Sequence, residues 1–105
     1  MKTELCDVLG IEYPIIQGAM AHISDGQFAA HVSEAGGLGV IASTLHDGEW
    51  VKEQVEIARS ITDKPFAVNL IMESAIVEEC ARMCVELKVP ICTISAGDPS
   101  KIVPI

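Results

Sequence analysis

Small, uncharged residues and a single amide occupy the positions at which this sequence could do chemistry. Small residues let backbone N–H and C=O groups approach a flat ring or a phosphate closely. An asparagine adds a donor and an acceptor, which suit the polar edge of a heterocycle. The candidate binding residues are Gly18, Ala19, Met20, Ala21, Asn69, Ala96 and Gly97.

The loop at residues 18–21 is unusual because it carries no charged side chain. Loops are commonly polar, since they face water. A small and neutral loop therefore predicts that something other than water packs against its backbone. The alternatives are structural: a tight turn under a neighbouring loop for residues 18–21, and a turn-bonding role at a strand end for Asn69.

The elements that must position these residues follow from hydrophobic periodicity. Apolar runs predict four strands, and amphipathic patterns between them predict helices that begin at Ser24 or Asp25, at Asp47 and at Ser74. The first of these helices has Phe28, Val32 and Ala35 on one face. The predicted strands are 14–17, 38–42, 66–70 and 91–95, and the predicted helices are a short turn at 3–9 and helices at 26–35, 49–62 and 75–87.

Strands that alternate with helices predict an α/β fold with a parallel sheet, and continuous apolar strands predict burial on both faces. Two architectures fit: an open doubly wound sheet, or part of a closed (β/α)8 barrel. In either, ligands gather at the carboxyl ends of the strands. Every candidate binding residue lies at or just after a predicted strand end.

Other residue patterns carry weaker signals. Gly36, Gly37 and Gly39 precede a strand, which is the wrong context for a phosphate-binding loop. His22 follows the apolar loop, so it could face a ligand or make a local hydrogen bond. His46 has no partner fixed by spacing, and His31 is expected on an exposed helix face.

Four cysteines bear on metal binding and on the compartment. Cys80 and Cys84 lie one helical turn apart, and core packing is favoured over a metal site because no further ligand lies at suitable spacing. No C-x-x-C pair and no signal-like N-terminus is present, so we expect reduced thiols in a cytoplasmic protein. The formal charge of −8 argues against nucleic acid and anionic membrane partners.

Four segments together resemble a known family. They are YPIIQGAMA, SEAGGLGVIA, ITDKPFAVNL and TISAGDPSKI. In this order and spacing they look like the N-terminal part of the nitronate monooxygenase (2-nitropropane dioxygenase) family, and especially its FMN-dependent enoyl-acyl-carrier-protein reductases of bacteria. The resemblance implies that residues 1–105 are the N-terminal half of an FMN-binding TIM-barrel domain, with about the first four βα units.

The same resemblance implies roles for the candidate residues. Loop 18–21 would lie against the flavin ring, Asn69 would hydrogen-bond it, and Ala96 with Gly97 would line the cavity. NAD(P)H would be a reductant, and the substrate an enoyl thioester or a nitronate. His22 stands where relatives often have an aromatic residue, and residues 43–46 depart from their glycine-rich stretch. The family's catalytic histidine comes later in its chains, so no catalytic residue is assigned.

Chain length sets a further expectation. A complete (β/α)8 barrel takes about 250 residues, whereas this chain has 105. We therefore expect a truncated barrel that is inactive alone, binds FMN weakly or not at all, and forms a homo-oligomer through its open edges. The alternative to an oxidoreductase fragment is a non-catalytic, self-associating α/β half-barrel.

Overall fold

Three parallel strands and four α-helices alternate along the chain in a computed structural model that describes residues 2–105. A short 3₁₀ helix, Pro99–Lys101, follows the last strand. The helices and strands are α1 (Glu4–Leu9), α2 (Gly26–Glu34), β1 (Gly39–Ala42), α3 (Gly48–Ile61), β2 (Phe66–Ile71), α4 (Val77–Glu86) and β3 (Ile91–Ser95).

The sheet has the order β1-β2-β3, and both pairings are parallel. Ala42 pairs with Asn69, and Asn69 pairs with Thr93, so the carboxyl ends of the strands lie side by side. All residues of β1 and most of β2 are buried, as expected for strands covered on both faces. The α/β parallel architecture predicted from the sequence is confirmed.

The predicted first strand, 14–17, is reduced to one parallel bridge between Ile16 and Leu38. The side chain of Gln17 explains why the ladder stops. Its Oε1 accepts from the backbone N–H of Val40 at 2.8 Å, and its Nε2 donates to the Val40 carbonyl at 3.2 Å. The amide thus replaces the backbone partner that a longer strand would supply, and the main chain is free to turn away.

Helix α2 buries a different face from the one predicted. Ala29, Ala30 and Ser33 are buried, whereas Phe28 is 38% exposed and Ala35 is exposed. The reason is close packing against β1, because a Cβ added to Gly39 would lie 1.8 Å from the carbonyl oxygen of Ala29. Only small residues fit a contact this close, so the larger apolar residues of α2 face outward.

Helix caps mostly follow the sequence. Asp25 accepts from the N–H of Phe28 at 2.9 Å, and Asp47 accepts from the N–H of Trp50 at 2.9 Å. The predicted cap at Ser74 is wrong, because α4 begins later with Ile76 as its N-cap. Ser74 Oγ instead accepts from the N–H of Ile76 at 3.3 Å, in the turn before the helix.

The two faces of the sheet are covered differently. One face carries Ile41, Val68 and Leu70, which pack against helices α2, α3 and α4. The opposite face carries Val40 and Ala67, and α1 and the residues after it cover only its amino end. The residues that close this end are Cys6 and Ile11, with Leu9 partly buried. The carboxyl end of the same face has no such helix within residues 2–105.

Across residues 2–105, each helix is too short or too polar to traverse a lipid bilayer.

Candidate functional site

The candidate binding residues meet at the carboxyl end of the sheet, and we call residues 18–21, Asn69 and residues 96–97 the rim. Parallel pairing brings the ends of β1, β2 and β3 together. The hydroxyl of Ser43, which follows β1, donates to the Asn69 carbonyl at 2.6 Å. The topology therefore brings together, at the carboxyl end of the sheet, residues that lie more than 70 positions apart in the chain.

Loop 18–21 is fixed to the end of β1 through Ser24. The N–H of Met20 donates to Ser24 Oγ at 3.0 Å, and Gln17 Nε2 donates to the same oxygen at 2.8 Å. The carbonyl of Ser24 accepts from the N–H of Ala42 at 2.9 Å. Ser24 is only 1% exposed, so these hydrogen bonds connect an exposed loop to a buried residue.

Asn69 has a side chain that is largely buried and partly occupied. Its Nδ2 donates to Thr93 Oγ1 at 2.8 Å, and its Oδ1 accepts from Ser95 Oγ at 3.3 Å. An amide has two donor hydrogens and two acceptor lone pairs, so one donor and one acceptor site remain. The hydrogen bonding at a strand end that was considered for Asn69 is present. It leaves one donor and one acceptor of the amide available to a ligand.

Residues 96–97 reach the rim through an uncommon backbone conformation. Ala96 has φ +60° and Gly97 has φ +147°, and the second value is one that side chains rarely adopt. A Cβ on Gly97 would lie 2.8 Å from Cβ of Met72, whose N–H donates to the Ser95 carbonyl at 2.9 Å. Glycine at position 97 therefore follows from the protein's own packing.

Gly18 is different, because its surroundings do not require a glycine. A Cβ added there would meet no atom within 4 Å. Among residues 2–105, no acceptor pairs with the N–H groups of Gly18, Ala19 or Ala21. The loop is exposed throughout, so it presents a neutral surface with unused donors. Such a surface fits the edge and face of a planar, polar-edged ring.

A ring stack beside the rim was missed from the sequence. His46 stacks on Trp50 with ring centroids 3.7 Å apart, and His22 meets His46 edge-on at 6.3 Å. These rings line a cavity of about 260 Å³ together with Ser24 and Gln54. The spacing of four between His46 and Trp50 was a local signal, whereas the approach of His22 depends on the tertiary fold.

Cys80 and Cys84 are both buried, as core packing predicted. The Cys80 thiol donates to the His46 carbonyl at 3.5 Å. Burial, with smaller contributions from the charges of Glu79 and Asp47, raises the pKa of Cys80 to about 11. Within residues 2–105, no three acidic, histidine or cysteine side chains converge as metal ligands would.

Comparison with known proteins gives one family. A family model described as nitronate monooxygenase matches residues 2–101. The nitronate monooxygenase of Pseudomonas aeruginosa is 49% identical to this chain over 70 residues, which are 67% of this chain and 20% of that protein. The chain spans about a fifth of the length of the curated relatives it matches.

Solved structures agree with the fold. The structure of FabK from Thermotoga maritima has a TM-score of 0.95 and 41% identity, and the match covers 98% of this chain and 33% of that chain. Nitroalkane oxidase from Streptomyces ansochromogenes has a TM-score of 0.76 at 22% identity, covering 88% of this chain and 35% of that one, and shows the fold alone. Residues 2–105 thus fold as part of a (β/α)8 barrel.

Proposed function

This chain belongs to the nitronate monooxygenase family, and we propose that its rim is the part of an FMN-dependent oxidoreductase that faces the flavin ring. When bound, FMN supplies hydride or electron transfer. The observation that carries the proposal is loop 18–21, where the protein itself leaves open space at Gly18 and unused N–H groups.

Each rim residue has a distinct task in this proposal. The N–H groups of Gly18, Ala19 and Ala21 donate to polar atoms of the ring, and Met20 covers part of its face. Asn69 uses its remaining donor and acceptor on the ring edge, and Thr93 with Ser95 holds it in place. Ala96 and Gly97 close the opposite side of the ring.

The proposal assigns ring contacts alone to residues 2–105 and no contact to the phosphate. Much of the affinity for a phosphorylated cofactor comes from its charge. We therefore propose that these 105 residues bind flavin weakly and turn over no substrate by themselves.

A titration of the ¹⁵N-labelled chain with riboflavin and with FMN tests the assignment. We expect amide shifts at residues 18–21, 69 and 96–97, with dissociation constants for the two flavins within about threefold of each other, because only the ring is contacted. Shifts confined to another surface, or none up to millimolar flavin, would contradict the proposal. Much weaker binding of riboflavin than of FMN would contradict the assignment of ring contacts alone to these residues.

For the whole enzyme we propose reduction of an enoyl thioester with NAD(P)H as reductant, as in enoyl-acyl-carrier-protein reductases. Support comes from the likeness to FabK, which extends over 98% of this chain. Nitronate oxidation is the second candidate, supported by the 49% identity to the Pseudomonas enzyme over a shorter stretch. Two assays separate these candidates in a protein that contains these residues and a complete barrel. A reductase oxidises NADPH only when an enoyl thioester is present, whereas a nitronate-oxidising enzyme takes up oxygen only when a nitronate is present.

Self-association is a second proposal, which applies to the 105-residue chain. Ile15 is 61% exposed and Ile16 is 46% exposed at one edge of the sheet. At the other edge, β3 pairs only with β2 among residues 2–105. Exposed edges of this kind favour pairing with a second copy.

Light scattering after size-exclusion chromatography tests self-association. We expect a homodimer that the variant Ile15→Lys weakens, since a charge on an edge strand opposes pairing. Val8→Lys is the matched control, because Val8 is an exposed apolar residue on α1 and not on the edge segment 14–17. A stable monomer at high concentration would refute the proposal, whatever its flavin affinity.

A further inference from the structure

The cavity beside the rim has polar and aromatic walls that the proposed flavin surface does not use. Its volume is about 260 Å³, whereas pockets for drug-sized ligands measure about 300–1,000 Å³. The cavity therefore suits a smaller molecule. The lining residues that bear on its chemistry are His22, Ser24, Asp25, His46, Trp50 and Gln54.

Two segments form the walls. On one side, Trp50 and Gln54 lie one turn apart on α3, and His46 stacks on Trp50 with ring centroids 3.7 Å apart. On the other side, the Met20 carbonyl accepts from the N–H of Ser24 at 2.9 Å, which closes a tight turn over residues 20–24. His22 lies in this turn with φ +67°, and its ring meets His46 edge-on.

Ser24 contributes a buried hydrogen-bond donor that the protein does not use. The side chain is 1% exposed, and its Oγ accepts from Gln17 Nε2 at 2.8 Å and from the N–H of Met20 at 3.0 Å. A hydroxyl has two lone pairs and one hydrogen, so its acceptor capacity is filled and its O–H remains. Among residues 2–105, no acceptor pairs with that O–H.

Gln54 contributes a second unused donor. It is 8% exposed, and its Oε1 accepts from the N–H of Gly26 at 2.8 Å. This bond identifies the oxygen end of the amide, and no acceptor within residues 2–105 pairs with Nε2 at the other end. Every fully buried side-chain nitrogen and oxygen in the described part of the chain has a partner. Nε2 therefore reaches open space, and the cavity is a space that Gln54 lines.

We propose that this cavity is a binding site for a small, neutral, planar molecule that carries a carboxamide. The carbonyl oxygen of the ligand accepts from the Ser24 hydroxyl and from Gln54 Nε2. Its NH₂ group donates to the carboxylate of Asp25, because a carboxamide offers an acceptor and donors together. The flat body of the ligand packs against the rings of His22 and Trp50.

Charge and the two donors select this class of ligand. Asp25 lines the cavity, and its Oδ1 is held by the N–H of Phe28 at 2.9 Å. A carboxylate ligand would place a second negative charge beside Asp25, in a chain whose formal charge is −8, and like charges repel at this range. A purely apolar ligand would leave the donors of Ser24 and Gln54 without an acceptor, which costs free energy.

Titration of the flavin-free 105-residue chain with benzamide tests the site. Trp50 is the one tryptophan of the sequence, so its fluorescence reports on this cavity. We expect a saturable change with a dissociation constant of about 1–10 mM, as suits a ligand of this size, and amide shifts at residues 22–25 and 54. Benzoate, of the same shape but anionic, should bind at least tenfold more weakly. No saturable change up to about 50 mM benzamide, or equal binding of benzoate, would overturn the proposal.

A matched pair of variants makes the test specific. Gln54→Glu keeps an acceptor for the N–H of Gly26 and removes the Nε2 donor, so it should weaken benzamide binding at least tenfold. Gln27→Glu makes the same change at an exposed position of α2 and should alter the affinity less than twofold. Equal affinities of the two variants would overturn the proposal.

A third variant decides the result if Gln54→Glu does not fold. His22→Asn removes an exposed ring and keeps a residue type that tolerates positive φ. It should weaken benzamide binding at least threefold, because the ligand loses one wall of the cavity. An unchanged affinity in this variant would show that benzamide binds elsewhere and would overturn the proposal.

Discussion

The contact between α2 and β1 and the loop at residues 18–21 are both built from small residues, for opposite reasons. At the first, a Cβ on Gly39 would lie 1.8 Å from the Ala29 carbonyl oxygen. At the second, a Cβ on Gly18 would meet no atom within 4 Å. The fold therefore requires a small residue at position 39, whereas at position 18 it does not.

This difference separates packing from binding. A residue that is small because atoms of another segment lie against it serves the fold. A residue that is small beside open space, in a loop with unused N–H groups, is explained by a ligand that the loop approaches. Gly97 belongs to the first class, because Met72 crowds it. Substitutions at four positions test this division.

Gly39→Ala should have the largest effect. The new Cβ would overlap a backbone oxygen that cannot move without shifting α2, so the free energy of unfolding should fall by about 3 kcal/mol or more. Urea denaturation followed by circular dichroism measures the loss. A loss below about 1 kcal/mol would show that α2 can move away from β1. It would contradict the claim that the fold requires a small residue at position 39.

Gln17→Ala should have the next largest effect. It leaves the N–H and C=O of Val40 and the hydroxyl of Ser24 without the amide that bonds them. Unpaired buried groups of this kind cost about 2 kcal/mol in the free energy of unfolding. Gln27→Ala on the exposed surface of α2 is the matched control and should change that free energy by less than about 0.5 kcal/mol. Equal losses in the two variants would refute the bridging role.

Asn69→Ala should reduce the free energy of unfolding by about 1 kcal/mol. Its side chain bonds Thr93 and Ser95, whose hydroxyls can turn to water because Ser95 is exposed and Thr93 is half-buried. Flavin-dependent amide shifts at residues 96–97 should shrink in the same variant, since the ring edge loses its partner. Unchanged shifts would mean that Asn69 serves the sheet alone.

Gly18→Ala should have the smallest effect on stability. Open space around the new Cβ predicts a change in the free energy of unfolding between zero and about 0.5 kcal/mol, in the stabilising direction, because alanine restricts the unfolded chain. The larger Gly18→Val should keep the fold and weaken riboflavin binding at least tenfold. Ala35→Val, at an exposed alanine outside the rim, is its control and should leave flavin binding unchanged.

Much of the fold could be predicted because its signals are local. Asp25 and Asp47 cap their helices as their side chains suggest, and the apolar stripe of α3 is buried at Val51 and Val55. The buried face of α2 could not be predicted in this way. Periodicity favours the larger residues such as Phe28, whereas the distance between α2 and β1 admits only Ala29 and its small neighbours.

The rim illustrates the same division at the candidate site. Its residues could be chosen from the sequence, because each lies at or just after an apolar run and carries little or no bulk. Their use as a flavin surface stays a prediction. The bonds that fix them, from Gln17 to Val40 and from Asn69 to Thr93, join residues more than 20 positions apart. No local pattern encodes such contacts.

The sequence by itself determined the order of strands and helices, two of the helix caps and the small residues at the strand ends, because each depends on residues within a few positions of one another. The tertiary structure alone decided that Gln17 ends the first strand, that α2 turns its small face inward, and that His22 meets His46 edge-on. These features depend on distances between separate elements, and such distances are set only when the elements pack.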